Sequence, residues 1–304
     1  MNDEINIQKL LEDYNNKIPI RELSRKLKFS RGYIRKILTE NRLSIRDSRS
    51  SLIAMNHIKE KQKITLSNTE KAYLYGLVMG DLTPVRKSGY TLKLITHSTH
   101  RTFMDLLQKT FEMYGITNYK ETKNQNMYRF QTHIDLDSFS FLLHSKNGII
   151  PNWINSDSFF DFLAGFIDSD GSVIIRKSGK YFQYVIRLFG QNLELLNEIK
   201  LRLESLGYNL SIHKNHKIGD KIYNNGILFK YNKDYYALET FKKAQTLDLL
   251  NKIPIRHPEK IAKKELIFKI QKQGGLHWQN VEKEVKELKL KIKQTVLQKT
   301  TLQN

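Results

Sequence analysis

The sequence predicts an α+β protein in which a small all-helical module precedes two copies of one α/β unit. Three observations predict it: helical spacing of apolar residues near the N-terminus, alternating strand-like runs further on, and a motif that recurs in matching surroundings. With 304 residues, 39% of them hydrophobic and 11% aromatic, the chain holds enough apolar material for more than one core.

The helical module comes first. Ile7, Leu10, Leu11 and Tyr14 share a helix face, the chain breaks from Asn15 to Pro19, and Ile20, Leu23 and Leu27 mark a second helix. Lys28-Phe29-Ser30 reads as a turn whose Ser30 caps a third helix carrying Tyr33, Ile34, Ile37 and Leu38. This is helix-turn-helix spacing, so residues 1–46 are expected to bind DNA. The helix from Ser30 to Arg42 would present Arg31, Arg35, Lys36 and Arg42 to a groove. A packing unit without a ligand is the plainer alternative. From Ser44 to Ser67 the chain is polar and basic, which places a linker at residues 47–69.

The repeat follows. AYLYGLVMGDL (Ala72 to Leu82) and FLAGFIDSDG (Phe162 to Gly171) align so that Gly76, Gly80 and Asp81 match Gly165, Ser169 and Asp170. Arg86-Lys87-Ser88-Gly89 and Arg176-Lys177-Ser178-Gly179 then recur at nearly the same distance. Next come the alternating runs TLKLIT and YFQYVIRLF, an amphipathic helix ending near Gly115 or Gly207, and later strands such as MYRFQTHI and GILFKYN. Each unit is expected to run α, β, β, α, β, over residues 70–150 and 151–275. From Val281, an apolar stripe of Val285, Leu288, Ile292 and Val296 predicts that residues 276–304 form a helix docked on the protein.

Charge narrows the partner. Lys and Arg number 51 against 31 Asp and Glu, a formal charge of +20 with pI near 9.8. That balance suits a polyanion, nucleic acid first. No apolar run approaches the ~20 residues of a spanning helix, and MNDEINIQKL lacks a signal-peptide core. A soluble, intracellular protein is expected, in the cytoplasm of a prokaryote or phage-infected cell or inside an organelle. Without cysteine there is no disulfide, thiolate zinc site or cysteine nucleophile, leaving Asp, Glu and His as ligands for a hard ion such as magnesium.

The motif itself carries chemistry. Gly76 with Gly80, and Gly165 with Ser169, stand four apart on one helix face, so two such faces can pack backbone to backbone. Asp81 and Asp170 would then meet at two helix C-termini. Carboxylates ~4 Å apart repel by about 4 kcal/mol at an effective dielectric of 20, and the negative dipole ends add to the conflict. A divalent cation resolves it, which suits a phosphodiester hydrolase. The plainer reading of a single such Asp is a solvated helix end. Asp168 reads as structural, capping a neighbouring helix. His213 and His216 fit a solvated hairpin tip better than a metal site, and Tyr235, Tyr236 and Phe241 fit a helix core.

These residues resemble the paired LAGLIDADG helices of the monomeric homing endonucleases, over about Glu70 to Ile270. Leu163 to Gly171 departs from the family string at two conservative positions, while the first copy keeps the glycine spacing, the apolar face and Asp81. The resemblance implies a saddle of antiparallel strands seated on double-stranded DNA with a long target site, Mg2+ or Mn2+ under the scissile phosphates, and a double-strand break with short 3′ overhangs. It makes Asp81 and Asp170 metal ligands. His97 and Gln191 would organise metal-bound water, and Lys233 would lie near a late-strand active-site lysine. Arg86, Lys87, Lys93, Arg176, Lys177, Arg187 and Lys230 would contact DNA, and one chain would act as a monomer. Met79 replaces the first motif aspartate. Leu82 replaces the glycine after the metal ligand and is expected to distort that half, because Leu disfavours positive φ. In the first repeat Arg129 and His133 are the candidates to match Lys233. The alternatives are a LAGLIDADG-like maturase bound to intron RNA and a DNA-binding regulator without cleavage; retention of both acids favours the nuclease.

Overall fold

The computed structural model describes residues 6–54, 64–122, 127–224, 227–274 and 277–297, divided into one unit up to Lys61 and a second from Gln62. In the first unit α1 (Ile7–Asn15), α2 (Ile20–Leu27) and α3 (Arg31–Glu40) bury Leu10, Tyr14, Leu23, Ile34, Ile37 and Leu38 together, and α4 (Ser48–Ala54) follows. Lys28 ends α2 at φ 57°, and Ser30 Oγ accepts from Tyr33 N at 3.2 Å to start α3. The third helix is shorter than expected. Asn41 donates its side-chain amide to Ile37 O at 2.8 Å and caps the end, so Arg42 lies beyond the helix at φ 59°. Arg31, Arg35 and Lys36 are exposed on α3, with Lys36 3.8 Å from Glu40.

The second unit is a mixed α+β structure whose halves share one plan. The first half runs α5 (Asn68–Gly80), β1 (Thr83–Ser88), β2 (Thr91–Ser98), α6 (Arg101–Phe111), β3 (Gly115–Thr122) and β4 (Met127–Asp135). It closes with α7 (Leu136–Phe139) and a 3-10 helix, Ser140–Asn147. The second half runs α8 (Ser156–Asp170), β5 (Gly171–Ser178), β6 (Tyr181–Gly190), α9 (Leu193–Ser205), β7 (Leu210–His216), β8 (Lys221–Asn224), β9 (Ile227–Lys230) and β10 (Tyr235–Thr240). The helices α10 (Lys243–Lys252), α11 (Pro258–Lys272) and α12 (Trp278–Leu297) follow. The antiparallel sheets have orders β1-β2-β4-β3 and β5-β6-β10-β7, so each half is α-β-β-α-β-β, one strand more than expected.

Three sequence expectations are corrected here. Within GILFKYN, Ile227–Lys230 does not join the large sheet; as β9 it pairs with β8 in a separate hairpin, which takes Lys230 with it. The large sheet's remaining strand is β10, between β6 and β7, containing Tyr235 and Tyr236, which the sequence suggested were helical. As a central strand its last four residues are all buried, so no alternation announces it. His213 and His216 lie in edge strand β7 rather than at a hairpin tip; His213 pairs with Ala237, and His216 stacks on Tyr231 at 4.4 Å.

At the centre of this unit α5 packs on α8. A Cβ added to Gly76 would overlap the Phe162 carbonyl oxygen, one on Gly165 the Tyr73 carbonyl oxygen, and one on Gly80 the Ser169 hydroxyl. The helices therefore touch backbone to backbone, and one apolar core runs through both halves. Leu82 causes no distortion through φ, because its counterpart Gly171 sits at φ −95°. Gly171 is small for another reason: a Cβ there would lie 2.5 Å from Ile167 Cα. The terminal helix α12 buries Val281 and Val285, while Leu288 and Ile292 line a groove with Val173, Ile174 and Ile175; the Val296 side chain lies outside the described residues.

Candidate active site

Asp81 caps the C-terminus of α5 and is exposed; Asp170 is the last residue of α8 and is half-buried. Each opens onto a cavity built partly by the other helix. Asp81 shares about 240 Å³ with Asp168, Ser169, Ser98, His100 and Lys260. Asp170 shares about 350 Å³ with Met79, Gln191, Phe189 and Tyr235. The motif position held by Asp168 in one helix and Met79 in the other thus serves the opposite aspartate, so the loss of one motif carboxylate makes the two cavities chemically unequal.

Asp168 is buried and accepts from Tyr73 Oη at 3.0 Å, Arg256 N at 2.9 Å and His257 N at 3.1 Å. It fixes the chain just ahead of α11, whose third residue is Lys260. The Lys260 ammonium donates to the carbonyls of Ile167, Asp168 (2.9 Å) and Ser169 (3.5 Å), the last turn of α8. Burial pushes this ammonium down to about 8, against the pull of Asp168, Asp81 and Asp170. On the other side, burial followed by Asp170, Tyr231 and Asp81 pushes the Tyr235 phenol up to about 12. Sequence reasoning missed both residues. Lys260 is one of 51 basic residues and nothing local marks it, and Tyr235 reads as core in the sequence.

The strand register relocates the proposed water-organising pair. Thr83 and Ser172, each second after its aspartate, pair with Ile95 and Arg187, and His100 and Asn192 cap the helices that follow. Gln191 therefore corresponds to Thr99, and His97 to Phe189. Gln191 does reach the Asp170 cavity, whereas His97 is exposed on β2 opposite Arg129, with Ser98 lining the Asp81 cavity instead. Lys233 lies exposed in the turn before β10.

The faces turned away from the helices differ between the sheets. In the first, Lys93, His97, Arg129 and His133 alternate with the buried Leu92, Leu94, Phe130 and Ile134, and Lys87 Nζ lies 3.4 Å from His133 Nε2. Arg86 takes the register of Leu92, on the opposite side of its edge strand. In the second sheet Arg176 donates to Gln183 at 3.0 Å and Arg187 is ion-paired with Glu239, so this arginine's charge is met within the protein. Lys177 has the parity of the core residues Val173 and Ile175, away from Arg176. Phe189 and Tyr235 stack at 6.0 Å on that sheet, and Tyr235 reaches Tyr231 at 5.8 Å. One face is basic; the other pairs its charges internally beside the Phe189–Tyr235 stack.

Among the described residues no three His, Asp or Glu side chains gather to hold a metal unaided. Two carboxylates, both acting on the Lys260 ammonium and the Tyr235 phenol, are what the site offers. Hard oxygen donors of this number fit magnesium or manganese with water and phosphate completing the shell. No helix among the described residues is long and apolar enough to cross a membrane.

A family model described as a LAGLIDADG-like domain matches residues 160–253. The uncharacterized protein MJ0314 of Methanocaldococcus jannaschii is 30% identical over 190 residues, covering 59% of this chain and 69% of that protein. MJ0398 from the same organism is 26% identical over 246 residues, 75% of this chain and 84% of the relative. Among solved structures, I-DmoI in complex with DNA and calcium is 17% identical, covers 65% of this chain and 98% of its own, and superposes with a TM-score of 0.43. I-SmaMI bound to uncleaved DNA in the presence of calcium is 12% identical over 74% of this chain and 98% of its own, with a TM-score of 0.41. Residues 160–253 are thus a LAGLIDADG-like domain, and the chain is related to MJ0314 over 69% of that protein.

Proposed function

We propose that this chain is a site-specific DNA endonuclease that cuts both strands at the junction of its two halves. The observation that carries the reading is the matched position of Asp81 and Asp170, each ending a helix of one glycine-packed pair and each opening onto a cavity. A divalent ion, Mg2+ or Mn2+, held by these carboxylates would neutralise charge at the scissile phosphate. Asp81 and Asp170 would bind it, Gln191 would order water beside Asp170, and the basic row of Lys87, Lys93, Arg129 and His133 would hold phosphates. Both halves lie in one chain, so a monomer suffices.

The test is cleavage, with and without magnesium, of the genomic DNA flanking the chain's own coding sequence, joined as if that sequence had never been inserted there. Asp81→Asn and Asp170→Asn should each abolish double-strand cleavage and keep gel-shift affinity near that of the parent; full cleavage by either variant would overturn the assignment. Tight binding of intron RNA with no cutting of duplex would instead select the maturase reading. The N-terminal unit would add a helix-turn-helix contact through Arg31, Arg35 and Lys36. Deleting residues 1–66 should shorten the footprint on one flank only and leave the cleavage position unchanged, and identical footprints would rule that contact out.

A further inference from the structure

Lys260 stands where its own helix does not favour it. It occupies the first turn of α11, the positive end of that helix dipole, and burial disfavours its charge. What it gains lies on the other side. Its ammonium meets three carbonyls at the negative end of α8, immediately before Asp170, and lines the same cavity as Asp81. The Asp168 carboxylate, two residues before Asp170, holds the backbone of Arg256 and His257 and so locks α11 in register with α8. The other charged or titratable groups on this cavity are His100, His257, Glu259 and Lys263. Glu259 is occupied by Thr102 Oγ1 at 2.7 Å and His100 Nδ1 at 3.4 Å. Among the described residues no lysine or arginine lines the Asp170 cavity, so the arrangement is one-sided.

We propose that Lys260 is a positioning residue that supplies a resident positive charge to the paired aspartates. It fixes the last turn of α8 and makes the pair bind a divalent ion more weakly than two bare carboxylates would. The inference rests on the metal reading of Asp81 and Asp170 given above.

Manganese binding to the full-length protein without DNA, followed by the electron paramagnetic resonance of free Mn2+, tests it independently of cleavage. Lys260→Met should tighten Mn2+ by about tenfold, because repulsion between like charges a few ångströms apart is removed, and Lys260→Arg should stay within about twofold of the parent. A folded Lys260→Met protein with unchanged or weaker Mn2+ affinity overturns the inference. Should Lys260→Met lose its fold by circular dichroism, the parent protein with 15N-labelled lysine decides. Stoichiometric Mn2+ should broaden the Lys260 ammonium resonance, and a sharp resonance overturns the inference. Asp81→Asn and Asp170→Asn separate the two readings. If neither changes Mn2+ affinity, the metal reading fails and this inference with it; if both weaken binding while Lys260→Met matches the parent, only the role of Lys260 fails.

Discussion

Gly165→Ala is a one-methyl change whose outcome the helix contact determines. In an exposed helix Ala is favoured over Gly by about 1 kcal/mol. Here the new Cβ would overlap the Tyr73 carbonyl oxygen and stand 2.7 Å from Leu77 N and 3.0 Å from Tyr73 C. These are backbone atoms and cannot rotate aside, so α5 and α8 must separate by ~1 Å. A gap of that size forfeits about a quarter to a half of each dispersion contact between the helices, around the buried Tyr73, Leu77, Phe162 and Phe166. Overpacking of this kind costs about 3 kcal/mol or more, leaving a net loss of about 2 kcal/mol after the propensity gain. Urea denaturation followed by circular dichroism should show the second unit's midpoint falling by roughly 1 M. Gly32→Ala in α3 provides the opposite sign: the nearest atom to its Cβ is Ser30 Oγ at 3.9 Å, so Ala should stabilise the first unit by about 0.5 to 1 kcal/mol. Because separation also moves Asp81 from Asp170, cleavage should fall further than DNA affinity. A Gly165→Ala protein with the parent's midpoint and cleavage rate would refute the close contact.

Two further outcomes follow from the segment ahead of α11. Asp168→Ala strands three donors, Tyr73 Oη, Arg256 N and His257 N, at about 1 to 2 kcal/mol each, so a loss of about 3 to 6 kcal/mol is expected in urea denaturation; parental stability would contradict the clamp. Burial, then Lys260, pushes the His257 imidazole down to about 3 from its ordinary 6.5, so as pH falls below 6.5 the unfolded chain takes up a proton that the folded one refuses. Stability is present above pH 6.5 and should be lost at about 1 kcal/mol per unit toward pH 4. His257→Asn, which keeps a side-chain acceptor for the N-cap, should flatten that slope, and an unchanged slope would place the titration elsewhere.

What the sequence by itself determined is what depends on short stretches of chain. The 3.6-residue period placed α1 to α3 and the central helices, residues four apart put Gly76 with Gly80 and Gly165 with Ser169 on single faces, and the repeat marked Asp81 and Asp170 as helix-terminal equivalents. Tertiary structure decided whatever joins distant residues. Strand register moved His97 out of equivalence with Gln191, and the pairing of Arg187 with Glu239 spans two strands that are not consecutive in the chain. β10 was hidden because a central strand is buried on both faces and loses its period of two. Lys260 lies about ninety residues beyond the α8 carbonyls it binds, and Asp168 serves the cavity of the opposite aspartate. A local pattern records which face of an element is apolar; which buried charge meets which helix end is fixed only when the elements pack, because the favourable partner is supplied by chain that has no periodic relation to it.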